Sequence, residues 1–125
     1  SGKSRHERED FANIMLGYKN DKVAIISSNW ITPKKVRKFS AVCTEAIISS
    51  DFISQEIIVE KDEEVERIEN EKQEPLLKEI QNFLDAIYNK TEQIVKSQEA
   101  VNVTKIAEAA LLSSQKGTPI YLDLK

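Results

Sequence analysis

The sequence has a single cysteine, Cys43, so it can neither close a disulfide within itself nor build a cysteine-rich zinc site, and this scarcity fits a reducing compartment. A lone thiol of this kind is expected to lie buried in a strand as a small apolar residue. Its one histidine, His6, stands in the charged stretch Lys3-Ser-Arg-His-Glu-Arg8 with no second imidazole or thiol at ligand spacing, so it reads as a solvated residue and no metal site is expected. Three glycines, Gly2, Gly17 and Gly117, cannot assemble a dinucleotide fingerprint or a phosphate loop, and no cofactor-binding residue is expected in the chain itself. Ser27-Ser28 and Ser113-Ser114 lack a nearby histidine or a nucleophile elbow, which leaves no catalytic residue to assign.

Long apolar runs are missing as well. Nothing approaches the roughly 20 residues that cross a bilayer, and the polar start from Ser1 to Asp10 has no signal-peptide core, so no membrane is involved and the cytoplasm is the expected location. An excess of positive charge is absent too. Eighteen Lys and Arg against 21 Asp and Glu leave −3, the wrong sign for a broad nucleic-acid surface. The acidic run Glu60, Asp62, Glu63, Glu64 and Glu66 lacks the glycine turn and ligand order of a calcium loop and reads as a solvated turn.

What is present is an ordinary globular composition, 40% hydrophobic beside 31% charged over 125 residues. That length suits one domain and a real core, with about two thirds of the unfolded surface buried. Strand-like runs come first. Phe11 to Tyr18 and Val23 to Trp30 flank Lys19-Asn-Asp-Lys22, a hairpin signal because Asn and Asp tolerate positive φ. After the break at Pro33, Val36 to Val42, Ala46 to Ser50, Gln55 to Glu60 and Val65 to Glu69 read as further strands, with turns near Asp51-Phe52 and over Lys61 to Glu64.

From Pro75 the period changes. Leu76, Leu77, Ile80, Phe83, Leu84, Ile87 and Tyr88 recur at helical spacing behind a proline suited to the first turn, and Asn89-Lys-Thr91 marks the end of that helix. A second helix starts with Ser97 as N-cap, carries Val103, Ala107, Ala110 and Leu111 as its stripe, and stops at Gly117. Ile120 to Leu124 alternates again and predicts a last strand. No internal repeat is evident. The expected class is α+β, a mostly antiparallel open sheet of about six strands with two main helices packed on one face.

The densest local feature is Trp30-Ile-Thr-Pro-Lys34-Lys35-Val-Arg37, one aromatic, a chain-breaking proline and three cations within eight residues. Trp30, Lys34, Lys35 and Arg37 suit contact with an anionic ligand group or a neighbouring domain. Composition also fits a plainer role, with lysines guarding a strand edge against pairing and Trp30 in the core.

The order of motifs adds to this. Glu9-Asp-Phe-Ala12, the Trp30–Arg37 segment, Asp51-Phe-Ile-Ser-Gln-Glu56, Glu74-Pro-Leu-Leu-Lys-Glu-Ile-Gln-Asn-Phe83, Ser97-Gln-Glu-Ala100, and Ser113-Ser114 with Lys116-Gly117 follow one another over nearly the whole chain. The series resembles the carboxyl-terminal half of the glucose-fructose oxidoreductase and inositol dehydrogenase family. It departs from the family at Cys43 to Ala46, where relatives often carry glycines. The resemblance implies that residues 1–125 are the substrate and dimerisation domain of a two-domain enzyme. That enzyme would oxidise a secondary alcohol of a sugar, nucleotide sugar or cyclitol with NAD or NADP. The partners implied are the enzyme's own amino-terminal dinucleotide-binding domain, a sugar-like substrate, and a second copy met through the open sheet face. The family's glycine-rich, catalytic-lysine and aspartate–histidine motifs have no counterpart here, so the chain alone is expected to be inactive and reads as a piece of a longer enzyme. Two other readings stay open: a stand-alone, non-catalytic binding or dimerisation module, and an acidic scaffold for partner helices.

Overall fold

The computed structural model describes residues 9–124, and His6 lies outside them. The elements run β1 (Phe11–Gly17), β2 (Val23–Asn29), β3 (Lys38–Val42), β4 (Ile47–Asp51), β5 (Glu56–Lys61), β6 (Glu64–Ile68), α1 (Pro75–Tyr88) and α2 (Ser97–Lys116). Six antiparallel strands and two helices make the class α+β, as the sequence predicts. The strands are divided between two sheets instead of one, β1-β2 and β3-β4-β5-β6, because no ladder joins β1 or β2 to the other four. The chain falls correspondingly into two compact units, one formed by what is described up to Pro33 together with what is described from Gln93, the other by Lys34–Glu92.

In the first unit Phe11 pairs with Asn29 and Gly17 with Val23. The turn between them closes as expected, with the Tyr18 amide donating to the Lys22 carbonyl at 2.9 Å and Asp21 supplying the left-handed residue at φ 60°. Burial of β1 is one-sided: Ala12, Ile14 and Leu16 are half-buried while Phe11, Met15 and their cross-strand partners stand out. The N-cap of α2 is Lys96, one residue earlier than the sequence suggests, and its amide donates to the Glu99 carboxylate at 2.8 Å. Gly117, at φ 66°, ends this helix in the left-handed conformation that a side chain resists, its amide returning to the Ser113 carbonyl at 2.8 Å. The half-buried residues of α2 are Asn102, Ile106, Ala109, Ala110 and Ser113, a stripe rotated from the expected one and sharing only Ala110 with it. Seven alanine and serine positions leave the helix weakly amphipathic, so its half-buried side is not set by its own pattern.

The second unit is a four-stranded meander followed by a helix. Two-residue and four-residue turns join its last three strands: Asp62, at φ 45°, sits between the paired Lys61 and Glu64, and residues 52–55 span the paired Asp51 and Glu56. Cys43 is in the β3–β4 turn, its amide bonded to the Ala46 carbonyl, and is exposed, contrary to the buried strand position expected of it. Pro75 opens α1 behind Glu74, whose carboxylate accepts from the Leu76 amide at 3.4 Å, and Asn89 closes the helix. Residues 120–124 form no ladder, so the expected last strand is absent among the described residues.

The expected core is also absent. No hydrophobic side chain among the described residues is buried, and the one buried residue is polar, Asp10 at 3% exposure. Leu76, Leu77, Ile80, Phe83, Leu84 and Ile87, the apolar face of α1, are all exposed. Both units therefore present apolar faces that globular proteins ordinarily cover.

The structure discloses a repeat that the sequence hides. At the end of β2 the Asn29 side-chain oxygen accepts from the Ile31 and Thr32 amides at 3.1 and 3.0 Å, while the Trp30 amide donates to the Asp10 carbonyl just before β1. At the end of β4 the Asp51 carboxylate accepts from the Ile53 and Ser54 amides at 2.9 and 3.2 Å, while the Phe52 amide donates to the Arg37 carbonyl just before β3. Each hairpin is thus closed by the same four-residue device, Asx, aromatic, Ile, hydroxyl.

Candidate functional site

An open cleft of about 1260 Å³ lies wholly within the second unit. The segment before β3 brings Lys35 and Arg37 to it, the β4–β5 turn brings Phe52, Ile53 and Gln55, and the linker into α1 brings Gln73 and Glu74. The turn supplies its residues in a fixed order because the Asp51 carboxylate gathers the next amides, leaving the aromatic side chain of Phe52 free and exposed. Those two backbone amides hold the Asp51 carboxyl below the ordinary aspartate range, and the Lys38 ammonium, 3.5 Å away, adds to the effect. Gln55, at φ 59°, ends the turn and reaches Gln73 with its carboxamide: the Gln73 amide donates to Oε1 at 2.9 Å, and Nε2 donates to the Gln73 carbonyl at 2.7 Å.

Of the four residues singled out from the sequence, Lys35 and Arg37 line this cleft. Lys34 begins the same unit but is not part of the lining, and Trp30 belongs to the other unit, at the tip of its turn. Trp30 is 86% exposed, so it is not the core residue of the plainer reading. Among the described residues neither Lys35 nor Arg37 has an ion-pair partner. Phe52, Gln55 and Gln73 were not recognisable as site residues. Asp51 to Glu56 was visible as a motif, but the role of Gln55 depends on a residue 18 positions away.

The cleft has the chemistry to meet an anionic ligand group. Two cations, an aromatic ring, apolar Ile57 and Leu76, and the carboxamide of Asn70 meet there with Glu71, Glu74 and Glu79. No group of His, Cys, Asp and Glu able to hold a metal occurs among the described residues. Among the described residues the glycines, Gly17 and Gly117, stand in open space, with nothing within 4 Å of a side chain built at either, and neither borders the cleft. No described helix is long and apolar enough to cross a membrane.

These features define an α+β unit that carries an open cleft lined by cations, carboxylates and one aromatic ring. Neither a family model nor a curated protein matches the sequence. Among solved structures, the fold is that of part of the UDP-N-acetylglucosamine 3-dehydrogenase GnnA from Acidithiobacillus ferrooxidans. In its two crystal forms the TM-scores are 0.74 and 0.75 at 20% identity, over 89% of this chain and 36% of that one. A Thermotoga maritima chain assigned as an oxidoreductase matches with a TM-score of 0.76 at 18% identity, over 90% of this chain and 34% of that one. The chain thus spans about a third of the length of these proteins, and what it shares with them is the fold, the α+β class that the sequence predicts.

Proposed function

We propose that this chain is the carboxyl-terminal domain of an oxidoreductase that uses NAD or NADP to convert a secondary alcohol of a sugar, nucleotide sugar or cyclitol to a ketone. The observation that carries the reading is the overlay of nine tenths of the chain on dehydrogenase and oxidoreductase structures about three times its length. The domain's work is to present one wall of the substrate site, with Lys35 and Arg37 toward an anionic group of the ligand and Trp30 and Lys34 toward the dinucleotide-binding domain. It also joins two copies through an apolar sheet face. The dinucleotide pocket and the groups that move the proton and hydride belong to the other domain, and the chain alone is inactive. A cytoplasmic location goes with a single, exposed cysteine.

The scaffold for partner helices receives some support from the exposed apolar face of α1. Exposure is equally general on both sheets, however, with Met15, Ile25, Phe39 and Val42 uncovered, which favours missing cover from a domain and a second copy over a groove specific to helices.

The test is calorimetric titration of NAD and NADH into the 125-residue chain and into the full polypeptide that carries it, followed by a turnover assay of the latter with UDP-N-acetylglucosamine and with inositol. Binding and turnover by the longer protein alone are expected. Tight dinucleotide binding by the chain itself would overturn the division of labour. A full polypeptide without a dinucleotide site would establish the stand-alone module.

A further inference from the structure

We infer that Gln55 is a positioning residue whose carboxamide, paired with the main chain of Gln73, sets the separation of the two walls of the cleft and thereby its affinity for an anion. The consequence for affinity rests on the cleft reading above; the pairing itself does not.

Residues 69–74 connect β6 to α1 without regular structure, and Asn70, Glu71, Gln73 and Glu74 among them line the cleft together with Lys35 and Arg37. Among the described residues, the two bonds to Gln55 are the only hydrogen bonds this linker makes to the sheet and its turns. They use the amide and the carbonyl of one residue at once, in the manner of two hydrogen-bonded residues on neighbouring antiparallel strands. The side chain thus acts as a one-residue strand. Its orientation follows from the main chain it meets, because only Oε1 can face an N–H and only Nε2 a carbonyl.

Gln55 is itself anchored. The turn that carries it is tied at Ile53 and Ser54 to the Asp51 carboxylate and at Phe52 to the Arg37 carbonyl, 2.9 Å from the Phe52 amide. One four-residue turn therefore holds both the backbone of a cation and the linker that line the cleft. A loosened Gln55 would free the linker and the first turn of α1 while leaving the β4–β5 ladder intact.

The test measures amide exchange and pyrophosphate binding in the full protein, unsubstituted and as Gln55→Ala and Gln55→Glu. Loss of the pair should lower protection of the Gln73 amide about tenfold in Gln55→Ala, with the Ile57 to Val59 amides unchanged, and weaken pyrophosphate binding by a similar factor. Gln55→Glu supplies a readout that packing alone would not give. Ionised, its carboxylate still accepts from the Gln73 amide but sets an oxygen against the Gln73 carbonyl, and protonated it donates there again, so the Gln73 carbonyl carbon resonance should shift as the pH falls through the titration of the new carboxyl. Unchanged Gln73 protection in Gln55→Ala, or a Gln73 carbonyl resonance independent of pH in Gln55→Glu, overturns the pairing role. Failure of the unsubstituted protein to bind pyrophosphate overturns the anion reading of the cleft and the affinity claim with it, while the exchange data still decide the pairing.

Discussion

The proposed dimer should dissociate when Ile25 is replaced by aspartate, without unfolding of the subunit. Ile25 and Met15 are direct cross-strand partners on the outer face of the β1–β2 hairpin, 75% and 73% exposed, with Val23 and Phe11 on the same face. Full burial of such a side chain stabilises by about 1.5–3 kcal/mol, so covering the exposed three quarters of Ile25 contributes about 1–2 kcal/mol. In an isologous dimer both copies lose it, about 2–4 kcal/mol in all, and a carboxylate placed against apolar surface adds a desolvation cost. The dimer should weaken at least ~30-fold. Sedimentation equilibrium over a concentration series measures this, with the melting temperature as control, since an exposed side chain contributes little to the isolated subunit. A monodisperse monomer in the unsubstituted protein would refute the reasoning, as would an Ile25→Asp variant that associates undiminished.

Substituting Lys35 and Arg37 singly by Gln should weaken binding of an anionic substrate about tenfold each, read as a raised KM at unchanged melting temperature, because neither has an ion pair among the described residues to lose. Since Asp51 has its folded pKa depressed, its contribution to stability is complete above the unfolded aspartate pKa and fades as the pH falls through the lower folded value. The Ile53 amide resonance should follow that acid transition in the unsubstituted protein and not in Asp51→Asn, which keeps an acceptor at the turn. Gly117→Ala should destabilise the end of α2 by about 1–2 kcal/mol through its left-handed φ alone, since the site has open space, and Gly117→Asn should cost less; thermal melts by circular dichroism distinguish the two.

Local chemistry made most of the elements legible. Asn20-Asp21 announced a hairpin, Pro75 and Asn89 bounded α1, and Gly117 ended α2, because each of these residues acts on its own φ, its own amide or a neighbour within one turn. Where the partner lies far along the chain the reading failed. Alternation in Ile120 to Leu124 gives a strand only if another strand is there to pair with it, and none pairs with it here. Cys43 is apolar by residue type, but the β3–β4 turn closes at Ala46 and leaves it outside. A uniform strand pattern from Phe11 to Glu69 likewise holds no sign of where one sheet stops and another starts.

The site was legible to the same depth. Lys35 and Arg37 announced themselves by charge, whereas Phe52 and Gln55 matter through what the turn does with them. Asn29-Trp-Ile-Thr32 and Asp51-Phe-Ile-Ser54 share only Ile by identity, so the repeat escapes a comparison of letters. Asn and Asp offer the same side-chain acceptor to the amides two and three residues on, and Trp and Phe donate the same backbone amide to the start of the hairpin. Equivalence of this kind lies in acceptor geometry and backbone donors. The second copy alone goes on to Gln55 and Gln73, and that extension is what turns a hairpin closure into the wall of a cleft.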